Sequence, residues 1–173
     1  MKTLFSLLFI SIFSLSQAQT VKSKNLKIKY TPPAGWNAEE FGAKGPWEEA
    51  GNGLCHCSGA HFSKSHKDGK MHVVIYPSMQ SGLDSTKREN VGNLHFEDVV
   101  KYDKVRNNDI SFERKKSNFT DLKTKAKSFE VYRYFAKVED HFYIIYAWQE
   151  NMQVLNSTNE KELFAMVNAI EAN

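Results

Sequence analysis

The sequence predicts an α+β fold, an antiparallel sheet covered by helices, and three observations predict it. Phe142, Ile144, Tyr146 and Trp148 alternate with Tyr143, Ile145 and Ala147, so one strand is apolar on both faces and needs cover on both. Leu163, Met166, Val167 and Ile170 recur at i, i+3, i+4 and i+7, the stripe of an amphipathic helix. Short connections such as Glu139-Asp140-His141 join successive extended runs and favour hairpins.

With 173 residues, 25% charged and 41% apolar, the chain is sized and composed as a single globular domain with a real core. A formal charge of +3 excludes a strongly basic nucleic-acid binder. Two cysteines cannot build the disulfide framework of a small secreted domain. The chain has neither an internal repeat nor a low-complexity segment.

Residues 1–18 read as a signal peptide. Lys2 is the positive start, Leu4 to Leu15 the apolar stretch, and Ser16-Gln17-Ala18 the small-residue cleavage site, with the mature chain beginning at Gln19. A helix of about 12 residues rises only about 18 Å, too short for a bilayer core of about 30 Å. No later apolar stretch reaches membrane-spanning length, so the chain is expected to be exported, to the periplasm or the medium. The sequons at Asn118 and Asn156 matter only for a eukaryotic secretory origin.

Residues 19–25 are polar and read as a flexible lead-in; residues 26–173 are the single globular domain. Leu26, Ile28 and Tyr30 alternate with lysines as a half-buried strand, ended by Pro32-Pro33. Trp36 to Gly53 carries glycines and a proline and reads as irregular, pinned by Trp36, Phe41 and Trp47. Leu54 to Phe62 and Met71 to Tyr76 read as strands, the second closed by Pro77, with the Asp68-Gly69 turn signal between them. Asp84 to Phe96 reads as a helix, from the capping-box spacing of Thr86 and Glu89 and the shared face of Val91 and Leu94. Val99 to Tyr102, Ile110 to Lys116, Ser128 to Val138 and Phe142 to Gln149 read as extended, and Ser157 with Glu160 as the capping box of the last helix. The alternative architecture is a calycin-like β-barrel with one C-terminal helix.

Ile28-Lys29-Tyr30 running into Pro33-Ala34-Gly35-Trp36, the Phe142 to Trp148 strand after a hairpin, and the terminal helix together resemble the PsbP-like fold. The resemblance spans most of residues 26–171 and implies an α/β/α sandwich. It also implies a non-catalytic role, docking onto or assisting larger protein complexes, with metal ions bound by some members. It carries over no individual site residue.

The tract Cys55-His56-Cys57 stands outside that resemblance and is the densest candidate for chemistry, with His61, His66 and His72 close behind. Thiolate and imidazole are preferred zinc and copper ligands. On a strand, Cys55, Cys57 and His61 share a face, and the next hairpin strand brings His72 near, so these four are the candidate metal set. Single-residue spacing suits tetrahedral chelation poorly. The competing readings are two packed thiols or a Cys55–Cys57 disulfide, which at about 6.6 Å between Cα atoms on an extended strand needs a kink.

A Cys57–His61 or Cys57–His141 nucleophile would need reduced thiols in an oxidising compartment. Glu139-Asp140 offers paired carboxylates, but at a solvated hairpin tip. Lys115, Lys116, Lys123, Lys125 and Lys127 with Arg114 read as a solvated edge strand and loop, with no nucleic-acid partner. Trp36 and Trp47 are candidate partner-binding aromatics, with plugging the end of the core as the plainer role.

The reading that follows is an exported, non-enzymatic binding or accessory protein acting through a protein or cell-surface partner, with no cofactor expected. The alternative is a thiol- or metal-binding module, for zinc or copper, centred on the Cys-His-Cys tract.

Overall fold

Strands dominate the computed structural model, which describes residues 19–42, 58–78, 90–91, 94–107, 110–121, 129–150 and 154–173. In chain order these are β1 (Val21–Lys22), β2 (Ile28–Tyr30), β3 (Asn37–Phe41), β4 (Gly59–Lys64), β5 (Met71–Ser78), β6 (Asn90–Val91), β7 (Leu94–Asn107), β8 (Ile110–Asp121), β9 (Phe129–Val138), β10 (His141–Gln149), α1 (Ser157–Asn168) and β11 (Ile170–Ala172). They form two antiparallel sheets. One has the order β1-β2-β11, the other β3-β4-β5-β10-β9-β8-β7-β6.

The expected sheet covered by helices is corrected here: among the described residues strands predominate, in two antiparallel sheets, and one helix is found. Nor does the large sheet close into the alternative barrel, since β3 and β6 remain its two ends. The helix read over Asp84–Phe96 fails from Asn90 onward, where β6 turns back against β7 with Asn90 opposite His95. Val99, Val100, Tyr102 and Val105 continue the run beyond it, and β-branched and aromatic side chains suit a pleated strand. Residues 84–89 lie outside the described residues.

One face of the large sheet is covered by the small sheet together with α1. Leu26, Ile28 and Tyr30 meet Phe62, Met71, Val73 and Ile75 from β4 and β5, and Leu163, Met166, Val167 and Ile170 complete the same core. Tyr30 meets Phe62 edge to face, with ring centroids 4.8 Å apart. The helix starts one residue earlier than the capping-box spacing implies: Asn156 is the cap, and its Oδ1 accepts from the backbone N–H groups of Thr158 and Asn159 at 3.0 and 2.9 Å. It also ends sooner. Ile170 leaves the helix to pair with Tyr30 as part of β11, while remaining fully buried.

The start of α1 is held to the sheet by charge. Glu160 accepts from the Tyr132 hydroxyl at 2.6 Å, and Lys116 Nζ lies 3.2 Å from Glu160 and 3.0 Å from Glu130. Arg114 lies over the Phe164 ring, 4.7 Å from its centroid. The basic stretch is therefore not an edge: β8 is paired on both sides, by β7 and β9. Residues 122–128 lie outside the described residues.

Three further expectations shift. Val21–Lys22, in the expected lead-in, pairs with Tyr30 and Lys29. Asn37–Phe41, read as irregular, is a strand opposite Ser63–Gly59. Pro77 does not close its strand but pairs with Tyr143, beyond the end of β4's register at Ala60–Ile75.

Candidate functional site

The second face of the large sheet carries Val74, Tyr76, Val131, Tyr146 and Trp148 as a separate buried cluster. The terminal helix therefore packs on the Tyr143, Ile145 and Ala147 side of β10, opposite Tyr146 and Trp148. At one end of the second face the apolar surface gives way to a row of polar side chains.

That row follows from strand register. Side chains two apart share a face of a strand, and directly opposed or diagonal positions on neighbouring strands are within reach. Glu39 on β3 lies opposite His61 on β4, and His61 lies opposite Val74 on β5, two residues from His72. His72 in turn lies opposite Trp148 on β10, and Glu150 follows two residues later.

The four polar side chains form an unbroken chain. His61 Nδ1 is 2.9 Å from Glu39 Oε1, His61 Nε2 is 3.0 Å from His72 Nδ1, and His72 Nε2 is 2.9 Å from Glu150 Oε1. The two imidazole planes are parallel to within 5°. Trp148 stacks on His72 with centroids 4.7 Å apart and planes 12° from parallel, which holds that ring in place. Both histidines are buried, whereas the Glu39 and Glu150 side chains are 72% and 48% exposed.

Burial pushes the His72 pKa below the ordinary histidine value, because the imidazolium loses hydration; the Glu150 hydrogen bond opposes this, and His61 adds to it. His72 thus favours the neutral form, which has one N–H and one lone pair. A carboxylate only accepts, so the nitrogens facing Glu39 and Glu150 carry the N–H groups.

Of the expected metal set, the structure brings His61 and His72 together; Cys55 and Cys57 lie outside the described residues, as do His56 and Trp47. Among the described residues no three His, Cys, Asp or Glu side chains converge on one point. His66 belongs to a different contact, its Nδ1 3.2 Å from Gln149 Nε2, and His141 is exposed at the hairpin end. Trp36 is buried in the core with Leu26 and Phe62 rather than presented to a partner.

Sequence reasoning missed Glu39 and Glu150. They stand 22 residues before His61 and 78 after His72, and no local spacing signals such partners. The one available hint is that Glu150 directly follows the strand that must pair beside the Asp68-Gly69 turn.

No family model matches the chain, and no curated protein is similar to it. Among solved structures it is similar to the solution structure of cyanobacterial PsbP (CyanoP) from Synechocystis sp. PCC 6803, with a TM-score of 0.55 and 10% identity. The similarity covers 98% of this chain and 99% of that one. At that identity it speaks to architecture alone, and the fold of this chain is PsbP-like.

Proposed function

We propose that this chain is an exported, non-enzymatic accessory protein that works by binding a protein or cell-surface partner. The observation that carries the reading is the end-to-end likeness to a PsbP-like fold, a resemblance that implies docking onto larger complexes. The leader read in residues 1–18 supports export, and none of the described helices is long and apolar enough to cross a membrane.

Two measurements on source cells test it. Intact mass of the fractionated protein should match a chain beginning at Gln19, in the periplasm or medium. Chemical crosslinking at native expression should give a discrete adduct with one protein or envelope component. A full-length product retained in the membrane would remove the export reading, and an uncrosslinked monomer throughout would remove the partner.

A further inference from the structure

The outer face of the small sheet carries positive charge that the fold leaves unpaired. Leu26, Ile28 and Tyr30 are buried, so Lys27 and Lys29, which alternate with them, point away from the core. Lys22 on β1 lies directly opposite Lys29 and shares that outer face. Lys24 stands exposed in the turn between the two strands. Lys29 is matched by Glu171 of β11, with Nζ 3.4 Å from Oε2. Among the described residues Lys22, Lys24 and Lys27 have no ion-pair partner, although like charges set opposite each other destabilise a sheet.

The backbone beneath these lysines is fixed. Ser23 Oγ accepts from the N–H groups of Asn25 and Leu26 at 3.3 and 2.9 Å, and Ser23 donates its own N–H to the Ile28 carbonyl at 3.0 Å. The Glu40 carboxylate is engaged by the same turn, accepting from the Lys24 N–H at 3.2 Å and from Asn25 Nδ2 at 3.3 Å. The charges therefore project from a preset surface, and little order is lost when that surface meets an anionic layer.

Residue type decides what the face fits. Carboxylates of a protein partner are best recognised by the planar fork of arginine, and protein interfaces are poor in lysine and rich in arginine and aromatic rings. The exposed positions from Gln19 to Tyr30 hold lysine and neither arginine nor an aromatic residue. The compact, hydrated charge of lysine suits a diffuse layer of phosphate groups, as at an anionic bilayer surface. Position agrees with this: only Gln19 and Thr20 separate β1 from the leader read in residues 1–18, so export brings this face out beside the bilayer.

We propose that Lys22, Lys24 and Lys27 form a docking face for the anionic phospholipid surface of a membrane. The inference rests on the proposed export and makes lipid phosphate the cell-surface partner of that reading. Lysines without an acyl chain or an inserted helix give reversible adsorption.

The test is co-sedimentation of the protein, as recovered from cells, with vesicles of equal parts phosphatidylglycerol and phosphatidylcholine, against vesicles of phosphatidylcholine alone. Each lysine near an anionic surface is worth about fivefold in binding, so the anionic vesicles should bind about 100-fold more tightly. Raising the salt from about 50 to about 300 mM should release the protein. The triple variant Lys22→Gln/Lys24→Gln/Lys27→Gln should lose about 100-fold, and the corresponding triple change to arginine should keep binding. Lys67→Gln/Lys137→Gln/Lys161→Gln removes the same net charge from exposed positions elsewhere and should bind within about threefold of the parent. A failure here leaves a crosslinked protein adduct untouched, so this inference and the accessory reading can fail separately. Equal binding to neutral vesicles, equal loss in the two glutamine triples, or binding to polyglutamate as tight as to the anionic vesicles, which would make an acidic protein the partner, would each overturn the proposal.

Discussion

Gly69 lies directly against the carbonyl of Glu150, so closely that a β-carbon on Gly69 would overlap that oxygen. Gly69 also has φ of 124°, a backbone that side chains strain to adopt. Glu150 is fixed from the same side: its N–H donates to the Lys70 carbonyl at 2.9 Å, and its carboxylate accepts from the Lys70 N–H at 3.2 Å. The Asp68-Gly69 turn therefore supports the carboxylate that holds His72.

Gly69→Ala should consequently lose about 1–3 kcal/mol of stability through backbone strain, with overlap adding to it. The midpoint of urea unfolding reads this directly. A midpoint equal to the parent's would show that the turn relaxes freely and does not brace Glu150.

Leu163 and Val167 test how α1 is seated. Both are buried against the core formed by the two sheets. Leu163→Ala should cost about 2–5 kcal/mol, the range for buried leucine truncations, and Val167→Ala less. Ile144 is only partly buried, packed against the opposite cluster, so Ile144→Ala should cost less than Leu163→Ala. The reverse order would place the helix on the wrong face of β10.

Alkaline pH should unfold the protein. Burial pushes the Tyr146 pKa up to about 12 from 10.0, with nearby Arg133 pulling the other way. Desolvation also raises Tyr30, Tyr132 and Tyr143, and the Glu160 hydrogen bond raises Tyr132 further. A phenol whose folded pKa lies above its unfolded value contributes stability that is intact below pH 10 and is lost as the pH rises toward 12. Absorbance at the tyrosinate wavelength should therefore rise late, together with loss of the folded circular dichroism. Early titration of Tyr30, Tyr132, Tyr143 and Tyr146 with the fold intact would contradict their burial.

Glu139 is the one non-glycine residue with positive φ among the described residues, at 53° in the exposed turn between β9 and β10. Glu139→Gly removes the steric cost of that conformation, worth roughly 1–2 kcal/mol, against the entropy glycine returns to the unfolded chain. A net stabilisation of up to about 1 kcal/mol in denaturant midpoint is expected. A clear destabilisation would mean that the Glu139 side chain has a structural role of its own.

Several strands were readable without coordinates because their signals are local. The two-faced β10, the β9–β10 hairpin and the Asp68-Gly69 turn depend on alternation and turn chemistry, which a short window contains. The terminal helix was readable for the same reason, although its stripe ran on through Ile170: a buried residue keeps the same apolar identity whether it closes a helix or opens a strand. The failure over Asn90–Phe96 has a related cause. Capping-box spacing and a shared face are weak preferences, and pairing with β8 along most of β7 overrides them.

The sequence by itself determined strands β2, β5, β9 and β10, the helix stripe and the proximity of His61 to His72 across a tight hairpin, since each follows from neighbours along the chain. Tertiary structure alone decided that a small three-stranded sheet shares the cover with α1, and which face of β10 that cover takes. It also decided that Glu39 and Glu150 flank the imidazole pair. The physical reason is register: a partner 22 or 78 residues away is chosen by which strands lie side by side, and that is settled by the burial of the whole sheet rather than by any local spacing.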